Sequence, residues 1–152
     1  MHLTRFTDYG LRTLIYLAVQ KPGRRVTISE ITDTYKLSRD HVVKVVHRLG
    51  QLAYIETVRG KGGGFLLALE PRDINIAEVV ERLEPTLEMV DCEQPYCRLN
   101  PACRLKGVLK EATKSFMGVL RQYTLADLVK SGKRTRELLG VVDDREGVGE
   151  KI

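Results

Sequence analysis

The residues of this chain best suited to chemistry are three cysteines, Cys92, Cys97 and Cys103, which follow one another with the spacing C-x4-C-x5-C. Thiolates are strong ligands for soft metals, zinc and iron–sulfur clusters. The chain has no other cysteine, and an odd number argues against a complete disulfide framework. The spacing therefore predicts that residues 85–104 form a loop around one inorganic centre. Three incidental thiols are the alternative.

The elements that must position this loop belong to a chain of 152 residues with an uneven charge distribution. Residues 1–70 contain 11 Lys and Arg against 6 Asp and Glu, whereas residues 71–104 contain 4 against 7. The basic N-terminal block indicates a surface for nucleic acid, although a solvated basic face would give the same count.

Two features of the sequence predict a cytoplasmic protein without a membrane segment. No apolar run reaches the length of a membrane span, and Arg5 and Asp8 interrupt the segment where a secretory signal would lie. In the cytoplasm the thiols are expected to stay reduced, which keeps them available as metal ligands.

Helical patterns in the N-terminal half predict a helix-turn-helix. Apolar residues recur over residues 3–19 at the spacing of an amphipathic helix. Thr27 is followed three residues later by a glutamate, which is the capping-box pattern for a short helix that ends near residue 35. Ser38 is a candidate N-cap for a second helix that ends near residue 49.

The second of these helices is expected to have one buried and one basic face. Its apolar stripe comprises Val42, Val45, Val46 and Leu49. The opposite face would expose side chains long enough to reach base edges in a major groove. The candidate DNA contacts of the helix-turn-helix are Thr27, Ser38, Arg39, His41, Lys44 and Arg48. An ordinary helix pair with a solvated face is the alternative.

Two short strands are predicted at residues 54–58 and 65–69, joined by a basic loop that is rich in glycine. Glycines let the backbone approach a phosphate closely, and the cations supply charge for a groove or backbone contact. A nucleotide-binding loop is a poor match, because no Gly-Lys-Ser/Thr ends it before a helix. The candidate DNA contacts of the loop are Arg59, Lys61 and Gly62. A helix-turn-helix followed by a basic hairpin predicts a winged helix in residues 1–84.

A long helix is predicted after the cysteine loop. Residues 74–83 have the pattern of a short strand or linker that leads into a helix. From Leu105 to Tyr123, apolar residues then repeat at helical spacing over about five turns. A second copy of the chain is the simplest partner for this helix, since winged helices that read DNA commonly pair on two-fold sites. Packing within its own chain is the alternative.

Residues 105–140 are therefore predicted to contain a dimerisation helix and a short C-terminal helix, which a capping-box pattern places between Thr124 and Val129. Residues 141–152 are expected to form a disordered tail, because they are acidic and contain glycine. The predicted fold is mainly α-helical with a small β-hairpin wing.

Three motifs together resemble the iron–sulfur winged-helix repressors, and within that family the members that sense nitric oxide. These motifs are Phe6-Thr7-Asp8-Tyr9-Gly10-Leu11-Arg12, Arg59-Gly60-Lys61-Gly62-Gly63-Gly64 and Pro101-Ala102-Cys103-Arg104-Leu105. The resemblance extends from residue 1 to about residue 139. It implies a homodimer with one iron–sulfur cluster per subunit, which binds a double-stranded DNA operator and represses genes for nitric-oxide detoxification.

The resemblance also implies a ligand set of Cys92, Cys97, Cys103 and Asp8, the aspartate being contributed by the partner subunit. An acid in the first helical turn that is favoured by the helix dipole is the alternative role for Asp8. A 4Fe-4S cluster is expected rather than a 2Fe-2S cluster. The reason is that Lys106 occupies the position of the histidine ligand in related regulators of iron–sulfur biogenesis.

Other functions stay open from the sequence. A regulator of iron–sulfur homeostasis or redox state would share the fold. A structural zinc site of three cysteines with a histidine or aspartate would make the chain a constitutive DNA-binding protein. An enzyme is not expected, because the sequence has no second cysteine set, no nucleotide fingerprint and no paired acid and base in a pocket.

Overall fold

A computed structural model describes residues 2–141. In chain order its elements are α1 (Arg5–Ala18), α2 (Ile28–Tyr35), α3 (Arg39–Gln51), β1 (Ile55–Val58), β2 (Gly64–Leu67), α4 (Ile76–Leu83), α5 (Arg104–Leu120), α6 (Leu125–Leu128) and α7 (Gly132–Leu138). Short 3-10 turns lie at Pro71–Asp73 and Asn100–Ala102. The predicted fold class is confirmed, since the described residues are mostly helical with one antiparallel hairpin after a helix-turn-helix.

The main core lies between α1, the helix-turn-helix, the hairpin and α4. Leu14 of α1, Ile31 of α2, Val45 of α3 and Val79 of α4 are all fully buried in it. The stripe predicted for α3 is confirmed, because all four of its apolar residues are buried. Burial of this stripe turns the polar side of α3 towards solvent.

Hydrogen bonds at the helix starts fix the helix-turn-helix. Thr27 Oγ1 accepts from Glu30 N at 3.3 Å, and Glu30 Oε2 accepts from Thr27 N at 2.8 Å, so the predicted capping box is confirmed. Lys36 ends α2 in the left-handed conformation with φ of 55°. Ser38 occupies the N-cap of α3, but its side chain makes no capping hydrogen bond. Ser38 is exposed, so water can satisfy the first amides of the helix instead.

The strands β1 and β2 pair antiparallel, with Ile55 opposite Leu67. They are shorter than predicted at the outer ends. Tyr54 N donates to Leu49 O at 3.0 Å, which joins the end of α3 directly to the hairpin and leaves Tyr54 outside β1. The wing therefore follows α3 with a short, hydrogen-bonded connection.

The segment before α2 also pairs with the hairpin. Val26 and Phe65 exchange two backbone hydrogen bonds, each of 2.9 Å. Gly64 has φ of 149°, and a Cβ atom at this position would lie 2.6 Å from Val26 O. A glycine is therefore required where the wing meets the start of the helix-turn-helix.

The segment predicted as a strand or linker before α4 is a linker with one antiparallel bridge to the start of α6. Ile76 N donates to Tyr123 O at 3.0 Å, and Leu125 N donates to Ile74 O at 2.8 Å. The side chain of Asn75 caps α4. These bonds attach the C-terminal helices to the part of the chain that contains the helix-turn-helix and the wing.

The apolar residues of α5 lie on two faces. One face packs on α4 and contains Phe116, Met117 and Leu120. On the other face, Leu105, Val108 and Val119 are 62%, 58% and 54% exposed. The single repeat predicted from the sequence is therefore two stripes, and one of them is uncovered in the single chain.

The C-terminal part contains the predicted short helix with its capping box at Thr124, and in addition α7, which was not predicted. Leu139 and Val141 pack against the main core. The rest of the predicted disordered tail lies outside the described residues. Within residues 2–141, no helix is both long and apolar enough to cross a membrane.

Candidate DNA-binding surface and metal-binding loop

A row of polar side chains lies opposite the buried stripe of α3. Arg39, His41, Lys44 and Arg48 are all exposed. Within residues 2–141, Lys44 and Arg48 have no hydrogen-bond or ion-pair partner. A helix of this size fits a major groove, where such side chains reach base edges and phosphates. The geometry therefore leaves these side chains available for DNA.

The starts of α2 and α3 lie beside this row. Arg39 Nη1 donates to Ser29 Oγ at 3.1 Å, which links the two helices. The hydroxyl of Thr27 is engaged in the capping box, whereas the exposed Ser38 makes no capping hydrogen bond. Both residues stay predictions as DNA contacts, and Ser38 is the better placed to donate to a phosphate.

The loop of the wing is shaped by two glycines. Gly60 and Gly62 have φ of 92° and 72°, values that are strained for residues with a side chain. Arg59 precedes Gly60 and Lys61 lies between the two glycines, and both cations are exposed. The loop thus presents two cations on a backbone that has little steric bulk, as contact with a phosphate or a minor groove requires.

Arg25 holds the wing from the other side, and the sequence analysis missed this residue. Its Nη1 donates to Gly62 O at 3.2 Å, across 37 positions of the chain. The only signal in the sequence is that Arg24 and Arg25 precede the capping box, and adjacency alone does not reveal a contact with the wing.

One short stretch of α1 contacts both helices of the helix-turn-helix. The ring centroid of Tyr9 lies 6.1 Å from that of His41 on α3. Asp8 Oδ1 accepts from Arg12 Nε at 2.9 Å, and this hydrogen bond raises the pKa of Arg12. Arg12 lies 5.8 Å from the ring centroid of Tyr35 on α2. A change at Asp8 would therefore affect a stretch of α1 that contacts both α2 and α3.

Backbone hydrogen bonds give the cysteine loop its turns. Cys97 N donates to Cys92 O, and Asn100 N donates to Cys97 O, both at 3.0 Å. Cys103 is the N-cap of α5, and its Sγ accepts from Lys106 N at 3.4 Å. The N-terminus of a helix favours negative charge, so this position suits a thiolate.

Side-chain hydrogen bonds connect the two ends of the loop. Asn100 Nδ2 donates to Glu93 Oε1 at 2.7 Å, and Lys106 Nζ donates to Asn100 Oδ1 at 2.7 Å. Asp91 Oδ1 accepts from two backbone amides at the start of the loop, those of Glu93 and Gln94. Lys106 is thus a hydrogen-bond donor to the loop, which agrees with its expected failure to act as a metal ligand.

The three thiols are half-buried and form no disulfide. Within the part of the chain that the structure describes, no three His, Cys, Asp or Glu side chains are grouped to hold one metal ion. Three thiols in one loop are a donor set that suits either zinc or an iron–sulfur cluster.

The same geometry bears on Asp8. Among residues 2–141, Asp8 does not join two of the cysteines in a group that could hold an ion. Its carboxylate instead pairs with Arg12, and the side chain is 40% exposed. A role as ligand to the loop of its own chain is therefore not supported by the arrangement, and a role towards a second subunit stays a prediction.

Comparisons with known proteins agree with the fold and the motifs. The family model described as Rrf2, iron-dependent transcriptional regulator, matches residues 3–131. The HTH-type transcriptional regulator NsrR of Bacillus subtilis (strain 168) is 47% identical over 91% of this chain and 97% of its own length. The regulator of the same name from Shouchella clausii (strain KSM-K16) is 49% identical over 91% of this chain and 95% of its own.

Solved structures show the same architecture. T. potens IscR superposes with a TM-score of 0.71 at 26% identity, over 90% of this chain and 91% of the other. CymR, the global cysteine regulator of B. subtilis, has a TM-score of 0.62 at 24% identity, over 86% and 98% of the two chains, and supports the fold alone. The chain therefore belongs to the Rrf2 family of iron-dependent transcriptional regulators and is a DNA-binding protein of that family.

Proposed function

We propose that this protein is a nitric-oxide-responsive repressor whose affinity for its operator depends on an iron–sulfur cluster. The observation that carries the proposal is the cysteine loop. Its three half-buried thiols are the only cysteines of the chain, and the last of them, Cys103, caps α5. The similarity to two NsrR proteins over nine-tenths of the chain supports the same function.

We propose that α3 and the wing of each chain form its DNA-reading part. Lys44 and His41 on α3 are proposed to read bases, because they are exposed on the side of the helix away from the core. Arg59 and Lys61 are proposed to hold the backbone or minor groove. The Arg25 bond to the wing would keep these two groups in a fixed relation to each other.

Operator binding is proposed to require a homodimer. Leu105, Val108, Ala112 and Val119 are exposed on α5 at spacings of three, four and seven residues, which is the pattern of a helix–helix seam. A second copy presents the same stripe and can cover it with two-fold symmetry. Two recognition helices would then face half-sites about 34 Å apart, one turn of DNA.

The proposed cluster ligands are Cys92, Cys97 and Cys103 of one subunit and Asp8 of the partner subunit. A bound cluster would supply iron atoms that bind nitric oxide strongly. Three thiolates and one carboxylate give one protein ligand for each iron of a 4Fe-4S cluster, which is the form we favour. Carboxylate is a harder ligand than thiolate, so Asp8 would be the weakest of the four.

The contacts of α1 would connect ligand release to DNA binding. Asp8 is paired with Arg12 in this structure, and binding to the partner's loop would compete with that pairing. Arg12 lies against Tyr35 of α2, and Tyr9 lies against His41 of α3. A small movement of this stretch would shift one recognition helix relative to the other. Each lost base contact costs about 1–3 kcal/mol, so one or two suffice to empty an operator.

The test is to purify the full chain without oxygen and to measure visible absorbance, iron and acid-labile sulfide. Operator affinity is then compared with and without the cluster, with an operator selected from random DNA by the purified protein. We expect about four irons and four sulfides per chain and tighter binding with the cluster. A colourless protein that binds the operator equally well after chelation would contradict the proposal.

A further inference from the structure

We propose that Asn100 is a positioning residue that holds the two ends of the cysteine loop together and so determines how long a bound cluster survives. Only the statement about the lifetime of a bound cluster rests on the proposed function. The hydrogen-bonded row itself, from Glu93 through Asn100 to Lys106, is observed in the structure.

The position of Asn100 in the loop gives it this role. Glu93 follows Cys92 directly, Asn100 lies between Cys97 and Cys103, and Lys106 is one helical turn after Cys103. The two side-chain hydrogen bonds, each of 2.7 Å, therefore connect the neighbourhoods of the first and last thiols through a residue beside the second.

Lys106 couples this row to a thiol directly. Its backbone N–H donates to Cys103 Sγ at 3.4 Å, while its Nζ donates to Asn100 Oδ1. The backbone N–H of Asn100 donates to Cys97 O, and the backbone N–H of Cys97 donates to Cys92 O. Every cysteine is thus one hydrogen bond, or one peptide bond, from the Glu93–Asn100–Lys106 row.

The chemistry of the row requires an amide at its centre. The side chain of Asn100 donates to a carboxylate with one atom and accepts from an ammonium with the other. A carboxylate at position 100 would accept from Lys106 but would face Glu93 with like charge. An apolar residue would make neither bond. Bonds to charged groups are stronger than bonds between neutral groups, which suits an exposed loop.

Outer residues of this kind usually act on a metal site by orienting its ligands, and their loss costs about 10–100-fold in metal affinity. An isolated loop of a dozen residues loses conformational entropy when its thiols are brought to one centre. A loop already closed by Asn100 has lost part of that entropy. Asn100 should therefore slow ligand loss without touching the metal centre.

The sharpest test exchanges donor and acceptor between two positions. Asn100→Asp breaks the bond between these residues, because two carboxylates then face each other, whereas Glu93→Gln alone keeps an oxygen that can accept from Asn100 Nδ2. The double variant restores it with reversed polarity, because the glutamine amide donates to the new carboxylate, which also keeps the bond from Lys106. The double variant has the same net charge as wild type. Tyr96→Phe is the matched control, since it removes one exposed hydroxyl that has no partner within the described residues.

Two readouts separate this inference from the proposed function. The first is the rate of tryptic cleavage after the exposed Arg98 in cluster-free protein, which reports on the loop alone. The second is the rate at which an iron chelator removes the visible absorbance of anaerobic protein. Asn100→Ala and Asn100→Asp should be cleaved faster and should lose absorbance about tenfold faster than wild type. The double variant should return to within about threefold of wild type in both.

The inference is overturned if Asn100→Ala matches wild type and Tyr96→Phe in both rates, or if the double exchange is no better than Asn100→Asp alone. If wild type binds no iron or sulfide, the proposed function fails, while the cleavage rates still decide whether Asn100 closes the loop.

Discussion

The DNA-reading part of the chain, residues 1–84, and the cysteine loop, residues 85–104, differ in the interactions that stabilise them. In the first, Leu14, Ile31, Val45 and Val79 are completely buried, and the wing is attached by hydrogen bonds to the segment before α2. In the loop, residues 85–104 contain no fully buried side chain, and polar contacts hold the turns. Interiors that are closely packed specify one structure, whereas exposed polar loops change with modest free energy.

This difference matches the division of work between DNA reading and sensing that we propose. The fold around α3 has to stay intact when the signal changes, so α3 is fixed to a core within its own chain, and only the placement of the two subunits' α3 helices relative to each other would change. A sensor has to respond, so its proposed ligands belong to a segment that gains stability from what it binds. The exposed stripe of α5 is intermediate between these two cases, because it is apolar like the core but would be covered only by the proposed second chain.

The largest effect should come from a cavity in the DNA-reading core. Leu14→Ala removes a fully buried side chain and is expected to lower the free energy of unfolding by about 3 kcal/mol. Leu99→Ala in the loop, where the side chain is 70% exposed, should change it by less than about 0.5 kcal/mol. Urea unfolding of cluster-free protein measures both. Equal losses for the two variants would remove the contrast between the regions.

The uncovered stripe of α5 should control association. Val108→Gln places an amide in the proposed seam and is expected to weaken the dimer by tenfold or more, since about 1.4 kcal/mol corresponds to a factor of ten. Lys110→Gln on the opposite side of the helix is the control and should leave association unchanged. Sedimentation over a range of concentrations gives both dissociation constants. A seam elsewhere would be indicated if Lys110→Gln had the larger effect.

Recognition helix and wing should differ in how they contribute to binding. Lys44→Ala is expected to cost about 1–3 kcal/mol on the operator and little on random DNA. Lys61→Ala should weaken all sequences alike and reduce the magnitude of the salt slope by about 0.9, the value for one phosphate contact. Titrations of operator and random DNA at several salt concentrations compare the variants. Normal binding by Lys61→Ala at every salt concentration would exclude the wing from the interface.

The smallest effect should come from the cap of α2. Burial alone would raise the pKa of Glu30, but hydrogen bonds from Arg24 and Thr27 outweigh it and lower the pKa below the ordinary 4.5. The stabilisation is therefore present above about pH 4.5 and is lost as pH falls through the lowered value. Glu30→Gln should cost about 1 kcal/mol at pH 7. The difference from wild type should shrink in urea unfolding at about pH 3.5, and a constant difference would contradict the assignment.

Much of the DNA-reading part follows from local sequence. The capping boxes at Thr27 and Thr124 and the stripe of α3 depend on residues three or four positions apart, so periodicity reveals them. The glycines of the wing also follow a local rule, because the turn requires positive φ values that glycine adopts readily. Local chemistry and global fold agree in this region.

The remaining features depend on contacts that are distant in sequence. The bond from Arg25 to Gly62 and the contact of Tyr9 with His41 arise only when the core brings these segments together. The apolar repeat of α5 predicted one stripe, but its division between α4 and solvent depends on where α4 lies. The three thiols of the loop are evident in the sequence, but the role of Asn100 is not, because polar residues of a loop have no periodic pattern.

The most direct test of the account is an anaerobic titration with nitric oxide that follows visible absorbance and operator occupancy in the same samples. In wild type, both signals should fall together, because in the proposed mechanism ligand loss at the loop would move the two α3 helices relative to each other. Asp8→Ala keeps three cysteine ligands, so it should still take up a cluster but with an altered spectrum and a shifted titration. Bleaching of wild type while the operator stays fully occupied would contradict the account.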